Sequence, residues 1–431
     1  MVKVVAFLPA KGSSERIKNK NVQLLDSKPL FMHTLEKLIS CDFIDEVYLD
    51  TESDKIFEMA SDLSFKKLKR DKNLAKNSVD GNQLILNEIN KVDADIYIQI
   101  LCTSPFIKIS TIKNGLDILK KNKKYDSVIL VKREKQYTWG ENKPKYNINN
   151  IPNSKDLPDS IIETMGLYII RKSVALKTKR RIGENPFLII ASPVEAIDVN
   201  YPEDFELAEL VQKGRRMEEN RFFRNIKNKL SSAILSDILD DFKFKGLIKN
   251  LKPNFNTKVL GRAKTLKLRK IKDGEDYTKI YNALKSYELV SNGDIIIVEN
   301  EVSDFAYFGE LNANLAIRSG AQGAIIGGKT RDSLNVEKLN FPVFSEGLTC
   351  IDVKKRAVVE NINKTINIEG IRIRPEDLIF ADSEGIIVIP KEKEEEILSM
   401  AIKVISKENK IMEDICTNKK TEDILKEKEF F

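Results

Sequence analysis

The first part of the chain alternates short β-branched, apolar runs with stretches in which apolar residues recur every three or four positions. The strand-like runs are KVVAFLPA, EVYLDT, DIYIQILCT, DSVILVK, TMGLYIIR and PVEAIDVN. The helix-like stretches between them include PLFMHTLEKLISC, DGNQLILNEINKV and TIKNGLDILKKNKK. This alternation predicts a parallel sheet covered by helices, which is an α/β domain.

The pattern changes after about residue 210. A charged helical stretch, FELAELVQKGRRMEENRFFRNIKNKL, precedes glycine turns and the strand-like runs KVLGRAKTLKLR, GDIIIVEN, GAIIGG, FPVFSEGL and LIFADSEGIIVIP. We predict a first domain over residues 1–212, a helical linker over 213–228 and a second domain over 229–431. The second domain is expected to be a compact α/β or swivelling β/β/α fold that ends in an amphipathic helix from about Glu392 to Lys407.

The composition of the chain argues against nucleic acid and membranes as partners. The net charge of +7, from 72 basic and 65 acidic residues, is a small excess for 431 residues and does not favour nucleic acid. The four cysteines are scattered without CxxC spacing, and no apolar run reaches the ~18 residues of a membrane span. We expect a cytoplasmic protein with no nucleic-acid or membrane partner.

The single histidine, His33, lies in a stretch with helical spacing and is interpreted as a helix-surface or partly packed residue. Ser-His-Asp and histidine-ligated zinc mechanisms are therefore disfavoured. Catalysis is expected to use carboxylates, lysine, arginine, backbone amides and a hard metal such as magnesium.

The loop LPAKGSSERIKNKN follows the first predicted strand directly. Its glycine and serines allow close approach of the backbone to a ligand, and Lys11, Arg16, Lys18 and Lys20 supply positive charge, so phosphate is the first candidate ligand. The loop has neither the Walker A nor the G-x-G-x-x-G spacing. Taken alone, an ordinary strand-to-helix turn is an equal alternative.

The loop and three later motifs resemble the N-acylneuraminate and 3-deoxy-manno-octulosonate cytidylyltransferases. The loop is similar to the family's P-A-R-G-G-S-x-x-I/L-x-x-K-N, and QILCTSPF, ETMGLYII and AIDVNYPEDFELAE follow in the family's order. The resemblance covers about 210 residues and implies a Rossmann-like nucleotidyltransferase sheet. It also implies a transfer of CMP from CTP, the co-substrate, to an acidic acceptor.

The resemblance implies roles for particular residues. CTP would be bound by Pro9, Ala10, Lys11, Gly12, Ser13, Ser14, Arg16, Lys20, Asn21, Gln99 and Ser104, with Lys11 and Arg16 as catalytic cations. Magnesium would be bound by Asp198 and Asn200. Asn200 stands where the family has a second aspartate, so either metal binding is weaker or the acceptor brings its own negative charge, as a phosphonate would.

In the second domain, GELNANLAIRSGAQGAIIGGKTRD places Gly309, Glu310, Leu311 and Asn312 at a helix start and Arg331 and Asp332 after a glycine-rich strand. Amides at a helix start bind a carboxylate, arginine binds it in bidentate fashion, and aspartate holds a divalent metal. Together these groups would chelate a 2-oxo acid. An Arg-Asp pair alone is more often a surface ion pair.

This segment and its neighbours resemble the family of 4-hydroxy-4-methyl-2-oxoglutarate aldolase and regulator of ribonuclease activity A, over about residues 230–395. The spacing of 22 residues from Gly309 to Arg331 is the family's. The resemblance implies that pyruvate or another 2-oxo acid binds to Gly309, Glu310, Leu311, Asn312 and Arg331. It further implies magnesium at Asp332 and retro-aldol or decarboxylase chemistry, in which Arg331 stabilises the enolate.

Ulosonic acids are formally an aldehyde plus pyruvate, so we hypothesise that the second domain makes or edits a 2-oxo acid that the first domain couples to CMP. The alternative is a cytidylyltransferase for a phosphonate or phosphorylated acid, with a non-catalytic oligomerising or regulatory second domain. Both families form closed oligomers, which implies a homo-oligomer larger than a dimer, such as a hexamer.

Overall fold

The chain folds into two compact units. A computed structural model describes residues 2–14 and 16–427, and the units divide between residues 213 and 214. The helix Pro202–Lys227 spans this division, so residues 213–227 of the predicted linker are the second part of one continuous helix. Within the described residues, no helix combines the length and apolar character of a membrane span.

The first unit is an α/β sheet with helices between most of its strands. Its strands are β1 (Val4–Pro9), β2 (Leu24–Leu25), β3 (Lys28–Pro29), β4 (Glu46–Thr51), β5 (Lys66–Lys69), β6 (Ile96–Ile100), β7 (Ser127–Glu134), β8 (Ser160–Arg171) and β9 (Pro186–Ile190). Its helices are α1 (Leu30–Ile39), α2 (Asp54–Met59), α3 (Gly81–Lys91), α4 (Ile109–Lys121), α5 (Lys172–Thr178) and α6 (Pro202–Lys227). Short 3-10 turns lie at Lys20–Val22, Lys72–Ala75 and Ser154–Asp156.

The main sheet has seven strands in the order β5-β4-β1-β6-β8-β7-β9. β1 and β6 are buried along their whole length, which explains their continuous apolar sequence. The sheet is mixed, because β8 runs antiparallel to both β6 and β7. The predicted α/β sheet is confirmed, and β8 is the one strand of its seven-stranded order that departs from the expected parallel arrangement. The long connection over residues 135–159 contains no crossover α-helix, so β8 returns antiparallel beside β7.

The carboxyl edge of this sheet gathers the predicted nucleotide motifs. The loop 10–23 follows β1, and the segment 101–108 follows β6. Parallel neighbours end at the same edge, and open α/β sheets bind ligands there. The run PVEAIDVN, predicted as a strand, forms a turn followed by irregular chain before α6, so that strand prediction was wrong.

The second unit is built on a larger mixed sheet. Its strands are β10 (Leu247–Ile248), β11 (Lys252–Pro253), β12 (Val259–Lys270), β13 (Ile295–Asn300), β14 (Gly323–Gly327), β15 (Lys329–Thr330), β16 (Val343–Ser345), β17 (Gly347–Leu348), β18 (Ala357–Ile362), β19 (Ile366–Ile368), β20 (Ile371–Ile373), β21 (Leu378–Ala381) and β22 (Ile386–Ile389). Its helices are α7 (Ser232–Asp241), α8 (Glu310–Ser319), α9 (Ser333–Lys338), α10 (Glu394–Cys416) and α11 (Thr421–Glu427), with 3-10 segments at Tyr277–Leu289 and Lys391–Lys393. The predicted C-terminal helix therefore extends beyond Lys407.

The strand order of this sheet is β10-β22-β21-β12-β13-β14-β16-β11, with β18 also paired to β12. β12, β13, β14 and β16 are parallel, and α8 is the crossover between β13 and β14. The segment that precedes α8 and the segment that follows β14 therefore lie at the same edge of the sheet. This edge carries both fragments of the predicted 2-oxo acid motif.

Candidate functional site

The loop after β1 is held against the ends of neighbouring strands. The Ala10 amide donates to the Asp50 carbonyl over 2.9 Å, and the Gly12 amide donates to Glu52 Oε1 over 2.7 Å. A Cβ on Gly12 would lie 2.8 Å from Ser53 Cβ, so this position needs glycine for close approach. The Asn21 side chain donates to the Lys11 carbonyl over 2.8 Å and closes the loop.

Two of the loop cations converge on the segment that follows Asp198. Lys20 Nζ donates to the Val199 carbonyl over 2.6 Å and to Asn200 Oδ1 over 3.3 Å. Arg16 approaches the same amide oxygen at 3.5 Å, and its guanidinium lies 5.3 Å from the centroid of the Tyr201 ring. Lys20 is buried, and this burial lowers its pKa. The loop therefore presents one buried and one exposed cation at this edge.

The other predicted loop residues have varied surroundings. Lys11 Nζ is hydrogen-bonded to Asn77 Oδ1, so the loop is also tied to the segment before α3. Pro9 and Ala10 are buried, Ser14 is half-buried, and Ser13 is exposed. The Asn21 side chain also accepts a hydrogen bond from Cys102 Sγ over 3.2 Å, and burial raises the Cys102 pKa to about 12, so this thiol stays protonated.

The segment around Asp198 is fixed by its own side chains. The Val199 amide donates to the Thr103 carbonyl over 2.8 Å, and Asp204 Oδ2 accepts the amides of Asn200 and Tyr201 over 2.9 and 2.8 Å. These bonds satisfy the backbone without a strand, and Asp204 caps the start of α6. The segment therefore forms a turn that caps the start of α6.

Asp198 has one carboxylate oxygen free for a ligand. Its Oδ2 accepts a 2.6 Å hydrogen bond from Asn200 Nδ2, whereas its Oδ1 is buried and has no hydrogen-bond partner among the described residues. The Asn200 Oδ1 atom, by contrast, already faces Lys20 and Arg16. Asp198 is thus suited to bind Mg²⁺ through Oδ1. The Asn200 side chain forms a hydrogen-bonded bridge from Asp198 to Arg16 and Lys20.

Gln99 and Ser104 occupy different positions at the end of β6. Gln99 is 1% exposed, and its amide donates to Glu88 Oε2 over 2.8 Å inside a cluster that also contains Asp50 and Arg70. Burial, followed by the Asp50 charge, raises the Glu88 pKa. Ser104 Oγ is buried with no partner among the described residues. Gln99 therefore belongs to an interior network, and Ser104 is a free hydroxyl at the edge.

In the second unit, the structure brings the tetrad at the start of α8, residues 309–312, together with Asp332. Gly309 is the N-cap of α8, and the Glu310 amide donates to Asp332 Oδ2 over 3.2 Å. A Cβ on Gly309 would lie 2.5 Å from that oxygen, so only glycine allows the contact without displacement. Asp332 itself has φ of 57°, an uncommon conformation that points to a constrained site.

Arg331 lies beside Asp332 but is paired with a residue that the motif analysis missed. Its NH2 group is 2.7 Å from Asp352 Oδ2, and its Nε is 3.8 Å from Asp332 Oδ2. The Arg331 and Asp352 side chains are each 37% exposed, so an anion in solution can reach the guanidinium. No spacing rule in the sequence connects Asp352 to Arg331.

The rest of the tetrad is less closely involved. Glu310 Oε2 accepts a 2.8 Å hydrogen bond from Asn335 on α9, and Asn312 donates to the Tyr307 carbonyl over 2.6 Å. Leu311 is 79% exposed. The Asn312 and Leu311 side chains therefore do not converge on Asp332, and a substrate contact from these two residues would have to come from the backbone of the first turn of α8.

Metal binding in either unit would depend on few protein ligands. The described residues contain no group of three or more His, Cys, Asp or Glu side chains that could hold a metal ion. Magnesium typically uses one or two carboxylates and completes its octahedron with water and substrate oxygens. Asp198 meets this requirement through its unpartnered oxygen, and Asp332 supplies a half-exposed carboxylate beside the start of α8.

Both halves of the chain match known families. Residues 5–151 match the Cytidylyltransferase family, and residues 232–388 match the Aldolase/RraA family. The N-acylneuraminate cytidylyltransferase of Escherichia coli is 25% identical over 244 residues, which cover 53% of this chain and 57% of that protein. A Halalkalibacterium halodurans protein named "Putative 4-hydroxy-4-methyl-2-oxoglutarate aldolase" is 34% identical over 176 residues, 40% of this chain and 79% of that protein.

A third relative, protein DlpA of Legionella pneumophila, is 30% identical over 184 residues, 42% of this chain. The match spans only 29% of the length of DlpA. Fold and matches together define an α/β cytidylyltransferase domain joined to an aldolase-like domain. The chain belongs to the Aldolase/RraA family through its second unit, as the second resemblance had indicated.

Proposed function

We propose that the first unit transfers CMP from CTP to an acidic acceptor of the nonulosonic or 3-deoxy-ulosonic acid type, with release of pyrophosphate. The observation that supports this most is the convergence of Arg16 and Lys20 on the Asp198–Asn200 segment. The names of the relatives support the chemistry, since they include an N-acylneuraminate cytidylyltransferase and a CMP-N,N'-diacetyllegionaminic acid synthase.

In this proposal the loop cations bind the triphosphate of CTP. An acceptor oxygen attacks the α-phosphorus, the bond to the bridging oxygen breaks, and pyrophosphate leaves. Lys11, Arg16 and Lys20 stabilise the negative charge on the phosphates, and the Ser13 and Ser14 groups donate hydrogen bonds to phosphate oxygens. Lys20 contributes a fixed charge, because it is anchored to the Val199 carbonyl before the nucleotide arrives.

Mg²⁺ would bind to Asp198 Oδ1 and to phosphate oxygens, where it would neutralise triphosphate charge. Asn200 is assigned a bridging role in place of the metal-ligand role that its alignment with an aspartate implies. Through its amide it keeps the second oxygen of Asp198 occupied and leaves the first one free.

We propose that the second unit binds pyruvate or another 2-oxo acid at Arg331, Asp332 and the first turn of α8, and that it acts as a metal-dependent lyase. Asp332 would bind Mg²⁺, and Arg331 would pair with the substrate carboxylate. The contact of Asp332 with the Glu310 amide supports a single combined site. The Halalkalibacterium relative's name supports the aldolase class.

The alternative assigns a phosphonate or phosphorylated acid as acceptor and gives the second unit a non-catalytic, oligomerising role. Asn200 favours this acceptor, because the site contains one aspartate where the family has two. The pairing of Arg331 with Asp352 favours a structural role for the arginine. In either case we propose a closed homo-oligomer larger than a dimer, such as a hexamer.

The experiment is pyrophosphate release from CTP and Mg²⁺ over a panel of acceptors: N-acetylneuraminate, 3-deoxy-manno-octulosonate, phosphonoacetate and 2-aminoethylphosphonate. We expect release with at least one acceptor and none without an acceptor. Turnover with ulosonic acids supports the first assignment, and turnover with phosphonates alone supports the alternative. A protein that is folded by circular dichroism but releases no pyrophosphate with any acceptor contradicts the proposed transfer.

A further inference from the structure

A cluster of four side chains lies on β8 and just beyond α5. The ETMGLYII motif contains three of them, whereas the fourth, Arg181, belongs to no motif that the sequence singled out. We name it the Arg181 cluster; its members are Glu163, Met165, Tyr168 and Arg181. Arg181 is 8% exposed, and its Cζ lies 3.8 Å from the centroid of the Tyr168 ring. Its NH2 group is 3.3 Å from Met165 Sδ. The guanidinium is therefore largely removed from water and packed on an aromatic face and a thioether.

The Arg181 guanidinium has no hydrogen-bonded carboxylate among the described residues. Glu163 Oε1 is 3.7 Å from its NH2 group, beyond hydrogen-bond distance, and is instead hydrogen-bonded to the Tyr168 hydroxyl. Arg70, in the same unit, provides the contrast. It donates to Asp50 Oδ1 over 3.1 Å, and its NH2 group lies 3.0 Å from Asp50 Oδ2. A buried guanidinium normally has such a partner, because an unpaired buried charge is costly.

The cluster adjoins the proposed transfer site. Met165 has φ of 62°, an unusual conformation for this residue type. The next residue is Gly166, where a Cβ would lie 2.6 Å from Ser104 Oγ. That hydroxyl is buried and has no partner among the described residues.

A second link joins the cluster to the nucleotide loop. The Arg181 amide donates to Asn82 Oδ1 over 3.0 Å, and the guanidinium lies over Gly81 at the start of α3. The segment just before α3 contains Asn77, which binds Lys11 of the loop. Arg181 and Lys11 of the loop are thus fixed to the same stretch of chain, residues 77–82.

We propose that the Arg181 cluster is the acceptor subsite and that Arg181 binds a carboxylate of the acceptor. This inference rests on the proposed transfer function. A planar guanidinium matches a carboxylate in bidentate fashion, and an incoming carboxylate supplies the partner that Glu163 does not. The Tyr168 ring and Met165 hold the guanidinium flat while the Ser104 hydroxyl is available to a neighbouring acceptor oxygen. Arg181 therefore selects acceptors that carry a carboxylate.

The test compares Arg181→Met, Arg181→Lys and the matched control Arg180→Met, with the acceptor that wild type uses. Arg180 is the adjacent arginine, is exposed, and pairs with Glu184 on its own segment. We expect Arg181→Met to raise KM for a carboxylate acceptor about 10- to 100-fold, which corresponds to the loss of a charge-assisted hydrogen-bonded pair. Arg181→Lys should fall between it and wild type. Binding of CTP, measured by calorimetry without acceptor, should be unchanged in all three.

Gly81→Ala gives an independent check that keeps the arginine. Its Cβ would overlap Arg181 NH1 and displace the guanidinium, so KM should rise as in Arg181→Met. Circular dichroism and the thermal midpoint identify a variant that has merely unfolded. If Arg181→Met keeps the wild-type KM, or if it loses CTP affinity to the same extent as acceptor affinity, the acceptor assignment is overturned. The two failures can be told apart. If the wild-type protein releases no pyrophosphate with any acceptor, the transfer function itself is contradicted. If the wild type is active and Arg181→Met is unaffected, only the acceptor assignment is contradicted.

Discussion

Lys20 and Asn200 are 180 residues apart in the chain, yet Lys20 Nζ donates a 3.3 Å hydrogen bond to Asn200 Oδ1. The contact joins the loop after β1 to the segment that precedes α6. Since Asn200 also donates to Asp198 Oδ2, a cation, an amide and a carboxylate form one chain of hydrogen bonds. The loop proposed to bind the nucleotide and the aspartate proposed to bind the metal are therefore linked directly by side-chain hydrogen bonds.

Loss of Lys11 or Arg16 should strongly reduce transfer without unfolding the protein. We expect Lys11→Ala or Arg16→Ala to reduce CTP-dependent pyrophosphate release by roughly 10²- to 10³-fold, because each removes a charge that stabilises the phosphates in the transition state. Loop cations contribute little to stability, so the thermal midpoint should stay near that of wild type. Lys120→Ala, an exposed lysine on α4, is the control and should keep the wild-type activity. Unchanged turnover in both test variants would remove the loop from the site.

Asn200→Asp should lower the Mg²⁺ concentration needed for half-maximal rate. The new carboxylate would stand beside Asp198 and add negative charge to the site, which strengthens binding of a divalent cation. The measurement is a Mg²⁺ titration of the transfer rate. Asn122→Asp, at the end of α4, makes the same charge change away from the site and should have no effect. A Mg²⁺ requirement that is the same in Asn200→Asp and wild type would place the metal away from residue 200.

His33 should make the fold sensitive to acid. Its ring lies on α1 with Nε2 2.8 Å from the Leu25 carbonyl, and burial lowers its pKa to about 4 from the usual 6.5. The unfolded chain therefore takes up a proton below about pH 6.5 that the folded protein accepts only below about pH 4. Stability should fall as pH falls through this window, by up to about 3 kcal/mol from this residue.

Urea denaturation at pH 7.5 and pH 4.5 for wild type and His33→Gln checks this, because glutamine can keep the donor but does not titrate. Other groups titrate equally in both proteins, so the difference between the two isolates His33. If wild type and His33→Gln lose the same stability over this pH range, the burial argument for His33 fails.

The Arg331 and Asp332 pair should control any pyruvate chemistry. Oxaloacetate is a simple substrate, since its decarboxylation passes through the same pyruvate enolate as a retro-aldol step. Wild type should release pyruvate from oxaloacetate in the presence of Mg²⁺, and Arg331→Ala or Asp332→Ala should stop this while CTP turnover continues. Arg318→Ala, an exposed arginine on α8, is the control. A wild type without metal-dependent pyruvate release from oxaloacetate or any 4-hydroxy-2-oxo acid tested would favour the non-catalytic alternative.

Hydrophobic periodicity was sufficient to predict most of the strands and helices at whose ends the candidate sites lie. β4 was predicted with its observed limits, and α1, α3 and α4 differ from prediction by only a few residues at their ends. Their apolar faces are buried against a sheet, so local pattern and tertiary packing agree. The same agreement located Gly309 at the start of α8.

Local pattern failed where side chains replace the regular backbone bonds. PVEAIDVN has the apolar spacing of a strand, but its last amides pair with other groups. The Val199 amide donates to the Thr103 carbonyl, and the Asn200 amide donates to the Asp204 side chain. The partners of Gln99 and Arg331, namely Glu88 and Asp352, are set by strand register and loop packing, which no spacing rule encodes. Nothing in the sequence indicated that Arg181 is important. What distinguishes it is that its guanidinium is buried and that, among the described residues, no carboxylate is hydrogen-bonded to it.

The most direct test of the central claim follows the phosphorus atoms. Wild-type protein, Mg²⁺ and the active acceptor are incubated with CTP labelled either at the α-phosphorus or at the γ-phosphorus, and the products are separated. The site described predicts that the α label appears in a CMP-acceptor conjugate and the γ label in pyrophosphate, with both signals lost in Arg16→Ala. Transfer of the γ label to the acceptor, or its release as inorganic phosphate while CDP accumulates, would contradict cytidylyl transfer.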